Sequence, residues 1–202
     1  MLIAVIAAVI EIEISAAFTI LGDKLVKTFP ALFFIFYHFI IIALVEEFSK
    51  FLIVKEKVIN DPEFDEPVDV MLYMIIVALG FATLENLLVL FPGKSPFLFQ
   101  EAVAVITFRF IGATFLHALC SGVLGYFLAL SIFEPKKRFR LIVQGIVVAT
   151  ILHGFFNIFI IGIEETTILS VVSLIILLSG LAIFVSFGFR KLKKIASVCR
   201  IT

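Results

Sequence analysis

Residues 31–54 read ALFFIFYHFIIIALVEEFSKFLIV, an apolar run with Glu46, Glu47 and Lys50 set inside it. A helix needs about 20 apolar residues to cross the hydrocarbon core of a bilayer, so the run is long enough to span. Its charged residues then lie within the membrane. Insertion scales put the cost of Asp, Lys or Arg at a helix centre at about 2.5–3.5 kcal/mol each, and Glu behaves similarly. Side chains of this kind must face protein and pair with one another. Both properties of this stretch, spanning length and misplaced polarity, recur along the chain.

The 202 residues are 62% hydrophobic, with 25 Phe and only 16% charged residues, and mean hydropathy is +1.23. Soluble domains average about 45–50% apolar and about 25% charged. A water-soluble fold would lack the polar surface to cover itself, so the composition requires an integral membrane protein. Pro, Gly and charge divide the chain into six expected spans: Leu2–Leu21, Ala31–Val54, Val70–Leu90, a segment ending at Phe133, Leu141–Ile161 and Ile168–Phe189. The apolar region from Phe97 to Phe133 exceeds one span, so a short interfacial helix is expected from Phe97 to about Ile106, ahead of a membrane helix from about Phe108. The expected fold is all-α, a polytopic transmembrane helical bundle of about six membrane helices plus that interfacial helix. It forms a single integral membrane domain over 1–202, with loops at about 55–69 and 134–140 and a basic tail at 190–202.

Lys136, Lys137, Arg138 and Arg140 mark one loop, and Arg190, Lys191, Lys193, Lys194 and Arg200 mark the tail. The Gly162–Thr166 turn carries Glu164 and Glu165 and no basic residue. Basic segments favour the cytoplasmic side, and six spans then put both termini there, with Lys24, Lys27 and Lys94 as an opposing signal. The amino terminus lacks the basic n-region of a secretory signal and reads as a retained helix. A net charge of zero excludes the basic footprint of a nucleic-acid binder. Cys120 and Cys199 make no disulfide framework, and no internal repeat suggests a transporter built from inverted halves.

The remaining intramembrane polar residues are Glu85 and Asn86 in the third expected span, Arg109 and His117 in the fourth, and His153 and Asn157 in the fifth. Glu46 and Lys50 share a helical face at i,i+4, as do His153 and Asn157. From the span midpoints, Glu46, Glu85, His117 and His153 fall within roughly five residues, or about 8 Å, of the bilayer centre. Four helices thus present polar groups at one depth, and a common pocket is the economical reading. Ala118 with Gly122, and Ser121 with Gly125, follow the spacing that lets membrane helices approach. Each group also has a plainer role: an ion pair that locks helix packing, a satisfied histidine, an interfacial His38. Glu11 and Glu13 point to different faces and have no account.

Two carboxylates and two imidazoles can polarise a water as general base and then protonate a leaving amine. Two His and one Glu can instead ligate Zn²⁺ with an open position for water. A His-Asn face can supply donors to an oxyanion. There is no HExxH and no GxSxG, so activated water is the best fit.

These residues also carry a resemblance. Glu46-Glu47-Phe48-Ser49-Lys50 resembles the EExxK motif of the PrsW family of intramembrane proteases. The stretch Gly80 to Asn86, GFATLEN, resembles that family's second motif, Arg109 with His117 its third, and His153-Gly154-Phe155-Phe156-Asn157 its fourth, HxxxN. The wider superfamily includes CAAX-processing and bacteriocin-immunity proteases and the APH-1 scaffold of γ-secretase. Lys50 one position early, and Glu85 in place of His, set this chain apart from the CAAX branch. The resemblance implies endoproteolysis of single-pass or membrane-anchored substrates such as an anti-sigma factor, in a prokaryotic plasma membrane. It implies that Glu46 and Glu47 activate water, that His117 and His153 ligate metal or shuttle protons, and that Asn157 holds the oxyanion. Lys50, Glu85, Asn86 and Arg109 shape and charge-balance the site. A divalent metal, Zn²⁺ or another, would fall to Glu47, His117 and His153, with a metal-independent mechanism left open. The rival expectations are a non-catalytic scaffold like APH-1 and a proton- or cation-coupled transporter.

Overall fold

A computed structural model describes residues 28–57, 66–90, 99–164 and 168–195. The expected first span Leu2–Leu21 with Glu11 and Glu13, the residues Lys24, Lys27, Lys94, Cys199 and Arg200, and most of the 55–69 loop lie outside the described residues.

All described elements are helical, and five are long and apolar enough to cross a membrane. Helix α1 runs Pro30–Lys57, starting with Pro at its first turn, where the missing N–H would have no partner anyway. Its middle, Tyr37–Leu44, is wound as a π-helix. Helix α2 is Pro67–Leu90. Helix α3 is built of three consecutive segments, Phe99–Arg109, a π-helical Phe110–Thr114 and Phe115–Phe133. Helix α4 is Arg138–Glu164 and α5 is Ile168–Leu192.

Two expectations shift. The described part of the interfacial helix expected from Phe97 to Ile106, from Phe99 on, forms the opening turns of α3, which continues unbroken through Phe133. No Pro or Gly occurs between Phe97 and Ile111 to end it. The basic loop at 134–140 contracts to Glu134 and a 3₁₀ turn, Pro135–Lys137, because α4 begins at Arg138.

Helix α3 is the hub. Leu116, Cys120, Leu124 and Leu128 recur every fourth residue and are all buried, forming one continuous stripe against α2, α4 and α5. Helix α2 answers with Val70, Met71, Met74 and Ala78, each fully buried. In lipid the hydrophobic effect does not drive helices together, so close packing must. Gly125 allows it. A Cβ there would lie 2.8 Å from the Met71 Cα, so only hydrogen fits between α2 and α3. Helix α5 meets the lipid instead, with Ile168, Leu169, Ile176 and Ile183 exposed. Outward apolar side chains of this kind suit a bilayer.

Candidate active site

Glu46, Glu47 and Lys50 occupy the first turns after the π-helical stretch of α1, and all three are buried. Both wide turns pack against α4. The Phe39 ring lies against Gly154, where no side chain of any size would fit beside it, and it meets Phe155 edge-on. The π-helical stretch of α3 ends at Thr114, three residues before His117, and the Phe156 ring packs on its Gly112. The HGFFN segment of α4 thus supplies His153 to the site and braces both irregular turns that aim the other residues. Local π-helical winding of this kind is frequent at functional sites.

Lys50 stands at the centre. Its Nζ donates to Glu47 Oε1 at 2.7 Å, lies 3.5 Å from Glu46 Oε2 and 2.8 Å from His117 Nδ1, and sits 4.7 Å from the Phe81 ring centroid. On its far side, His117 Nε2 is 2.8 Å from Glu85 Oε2. Arg109 clamps the neighbouring pair: Nη2 donates to Glu85 Oε1 at 2.6 Å and Nε to Asn86 Oδ1 at 2.7 Å. Asn86 Nδ2 donates in turn to Thr114 Oγ1 at 3.0 Å. His153 Nδ1 is 3.0 Å from Glu47 Oε1, and Ser121 Oγ donates to Glu47 Oε2 at 3.4 Å. The two imidazoles meet edge-on with centroids 5.0 Å apart.

The partners fix the tautomers. Ionised carboxylates only accept, so His117 donates from Nε2 to Glu85 and His153 donates from Nδ1 to Glu47. The lone pairs left over are His117 Nδ1 and His153 Nε2, which lie 3.7 Å and 4.0 Å from Glu46 Oε2. Donor atoms of Glu46, His117 and His153 all fall within 4.8 Å of one another. One carboxylate and two imidazoles, each imidazole held from behind by a carboxylate, is the donor set of a catalytic zinc site with its outer support. The residues therefore fit a divalent metal, and they fit it through Glu46. The expected ligand Glu47 turns instead to His153 Nδ1, Lys50 and Ser121. Adjacent residues on a helix point about 100° apart, and here only the first of the pair faces the open side.

That open side is a cavity of about 660 Å³ lined by Glu46, Glu85, Arg109, His117, His153 and Asn157, by His38 further along, and by aliphatic side chains including Leu174 and Leu178 of α5. Glu85 lies about one and a half turns before Leu90 on α2. Asn157 Nδ2 is buried and finds no hydrogen-bond partner among the described residues. His38 is bonded to the Phe34 carbonyl at 2.8 Å, in keeping with a structural role. The structure brings together Glu46, Glu47, Lys50, Glu85, Asn86, Arg109, His117 and His153 in one network, with Asn157 on the same cavity. Two members went unread in the sequence: Thr114, which holds Asn86, and Ser121, noticed only for its size. A lone hydroxyl in an apolar helix gives no signal of its partner.

A family model described as PrsW family intramembrane metalloprotease matches residues 1–186. Protease PrsW of Bacillus subtilis is 30% identical over 164 residues, covering 81% of this chain and 68% of that protein. Protease PrsW of Clostridioides difficile is 32% identical over 149 residues, 71% of this chain and 60% of that protein. Protease PrsW of Geobacillus kaustophilus is 34% identical over 119 residues, 59% of this chain and 49% of that protein. The chain thus spans about half to two thirds of the length of these curated relatives. No solved structure matches.

Proposed function

Because the chain belongs to the PrsW family of intramembrane metalloproteases, we propose that it is an endopeptidase that hydrolyses peptide bonds of membrane-bound proteins with a water activated among Glu46, Glu47, His117 and His153. The observation that carries this reading is the meeting of the two adjacent carboxylates with both imidazoles beside a cavity, deep in the bundle.

The roles follow from what each group touches. Of the adjacent pair, Glu46 is the one that reaches the cavity, and unlike Glu85 it is not clamped by an arginine, so it takes the proton from water as the oxygen attacks the scissile carbonyl. Glu47 is fully enclosed and anchors Lys50 and His153. Asn157 offers its spare Nδ2–H to the oxyanion, a donor that is already in place and needs no reorganisation. The proton held by Glu46 then passes to the leaving amine as the C–N bond breaks. Glu85, clamped by Arg109, holds His117 in the tautomer that keeps Nδ1 facing the site. In the alternative, Glu46 would be a ligand and not the base: a divalent ion held by Glu46, His117 and His153 would supply Lewis acidity to the carbonyl and make a bound water a stronger nucleophile near neutral pH.

The substrate class proposed is a single-pass or membrane-anchored protein, of which an anti-sigma factor is the example the family resemblance offers. The proposed setting is a prokaryotic plasma membrane with both termini cytoplasmic. The cavity and the spare Asn157 donor favour catalysis over a scaffold, which would need neither. Co-expression with a membrane-anchored candidate substrate tests the reading. Glu46→Gln and His153→Ala are expected to insert and fold yet lose cleavage; full cleavage by both variants would remove the assignment.

A further inference from the structure

The centre of the network already holds a cation. Of the three donors that fit a divalent ion, two are in reach of the Lys50 ammonium: His117 Nδ1 at 2.8 Å and Glu46 Oε2 at 3.5 Å. With Nε2–H given to Glu85, His117 Nδ1 has a single lone pair. That lone pair accepts from Lys50 or binds a metal, and it cannot do both. Lys50 is fully buried, its stem is enclosed, and its head also faces Glu47 Oε1 at 2.7 Å and the Phe81 ring. The ammonium has three N–H donors to place, and Glu47 Oε1, Glu46 Oε2 and His117 Nδ1 are the acceptors within 3.5 Å of it.

We propose that Lys50 is the site's resident competitor for the metal: its ammonium holds the His117 coordination position, keeps the donors assembled before an ion arrives, and withdraws from His117 toward Glu47 and Phe81 when one binds. This rests on the metal-binding reading of Glu46, His117 and His153. The retreat is short, since Glu47 and the Phe81 ring flank the ammonium already and a cation over an aromatic face is stabilised there. Metal loading is therefore an exchange of one cation for another inside a preformed cage. It differs from the zinc modules whose folding depends on the ion.

The test uses the full chain purified in detergent, with Co²⁺ as the probe, followed by its visible absorption bands and by calorimetric titration. Three proteins are compared: wild type, Lys50→Met, which keeps the unbranched stem but ends one atom short and carries no charge, and Arg109→Met. The last removes a cation from the same cluster that touches Glu85 and Asn86 and none of the proposed donors. Lys50→Met is expected to bind Co²⁺ at least about tenfold more tightly than wild type, the scale on which groups around a metal site tune affinity. Arg109→Met is expected to show no gain. Thermal unfolding supplies a second readout that survives poor folding of the variant: chelator should leave the wild-type midpoint nearly unchanged, whereas Lys50→Met should be unstable in chelator and recover on Co²⁺ addition. Equal affinities in wild type and Lys50→Met, or an equal gain in Arg109→Met, would overturn the competition while leaving the metal site standing. Co²⁺ uptake indifferent to His117→Ala and His153→Ala would remove the metal site itself, and the competition with it.

Discussion

Asn157 and Glu85 are the two residues where single substitutions separate roles most cleanly. Asn157 Nδ2 has no partner among the described residues to lose, so Asn157→Ala should leave the thermal midpoint in detergent within a degree or two of wild type, about the shift that a few tenths of a kcal/mol gives a domain of this size. Cleavage should nevertheless fall about 10²–10³-fold, as when one oxyanion donor is removed, and Co²⁺ affinity should not move. A variant that unfolds more easily and cleaves normally would assign Asn157 to packing. Glu85→Gln changes almost no volume but replaces a charged acceptor shared by Arg109 and His117. It frees the imidazole to flip its tautomer, so metal affinity and cleavage should drop together by about 10–100-fold. A loss of cleavage with unchanged metal binding would place Glu85 in substrate contact instead. At this scale the sequence was informative wherever a charge or an imidazole sat in an apolar run, because burying such groups is expensive and they must converge. It could not say which of Glu46 and Glu47 faces the cavity, since that turns on helix rotation. Nor could it pair Thr114 with Asn86 or Ser121 with Glu47.

The elements explain that gap. Both π-helical stretches, Tyr37–Leu44 and Phe110–Thr114, precede the site residues on their helices, and each extra residue per wide turn swings everything after it around the axis. No propensity encodes them, and both are packed where Phe39 and Phe156 are seated against glycines of the facing helix. The span boundaries, by contrast, were legible to within a few residues: the expected starts at Ala31, Val70 and Leu141 lie one to three residues inside the observed helices, which open at Pro30, Pro67 and Arg138. That some helix packs closely on α3 was legible as well, from the small residues at 118, 121, 122 and 125; that α2 is the one seated on Gly125 was not. Gly125→Ala would drive a methyl into the Met71 backbone. Overpacking of this kind costs about 1–3 kcal/mol, and because Glu85 and His117 ride on the two helices forced apart, cleavage should fall along with the midpoint of thermal unfolding. Unchanged stability in that variant would mean that the two backbones are less closely seated than described.

Taken whole, the molecule is a membrane bundle for the reason its composition gave: 62% hydrophobic side chains cannot be hidden in a chain of this length, so they face lipid. Helices α3 and α5 show the two extremes, one lined with buried side chains and the other largely bare. Orientation is a property of the whole chain and rests on the basic residues that cluster at Lys136–Arg140 and beyond Arg190. Lys136→Cys, introduced into a chain lacking Cys199, should react with a membrane-impermeant maleimide only after intact cells are permeabilised. Labelling of intact cells would invert the proposed topology. The cavity that joins Glu46 to His38 has aliphatic walls for much of its length, and peptide hydrolysis consumes one H₂O per bond. For the proposed hydrolysis the scarcer reactant is therefore the solvent, which would have to be drawn through hydrocarbon surroundings to a handful of polar atoms, so turnover would depend on the hydration of that passage as well as on the affinity for the polypeptide to be cut.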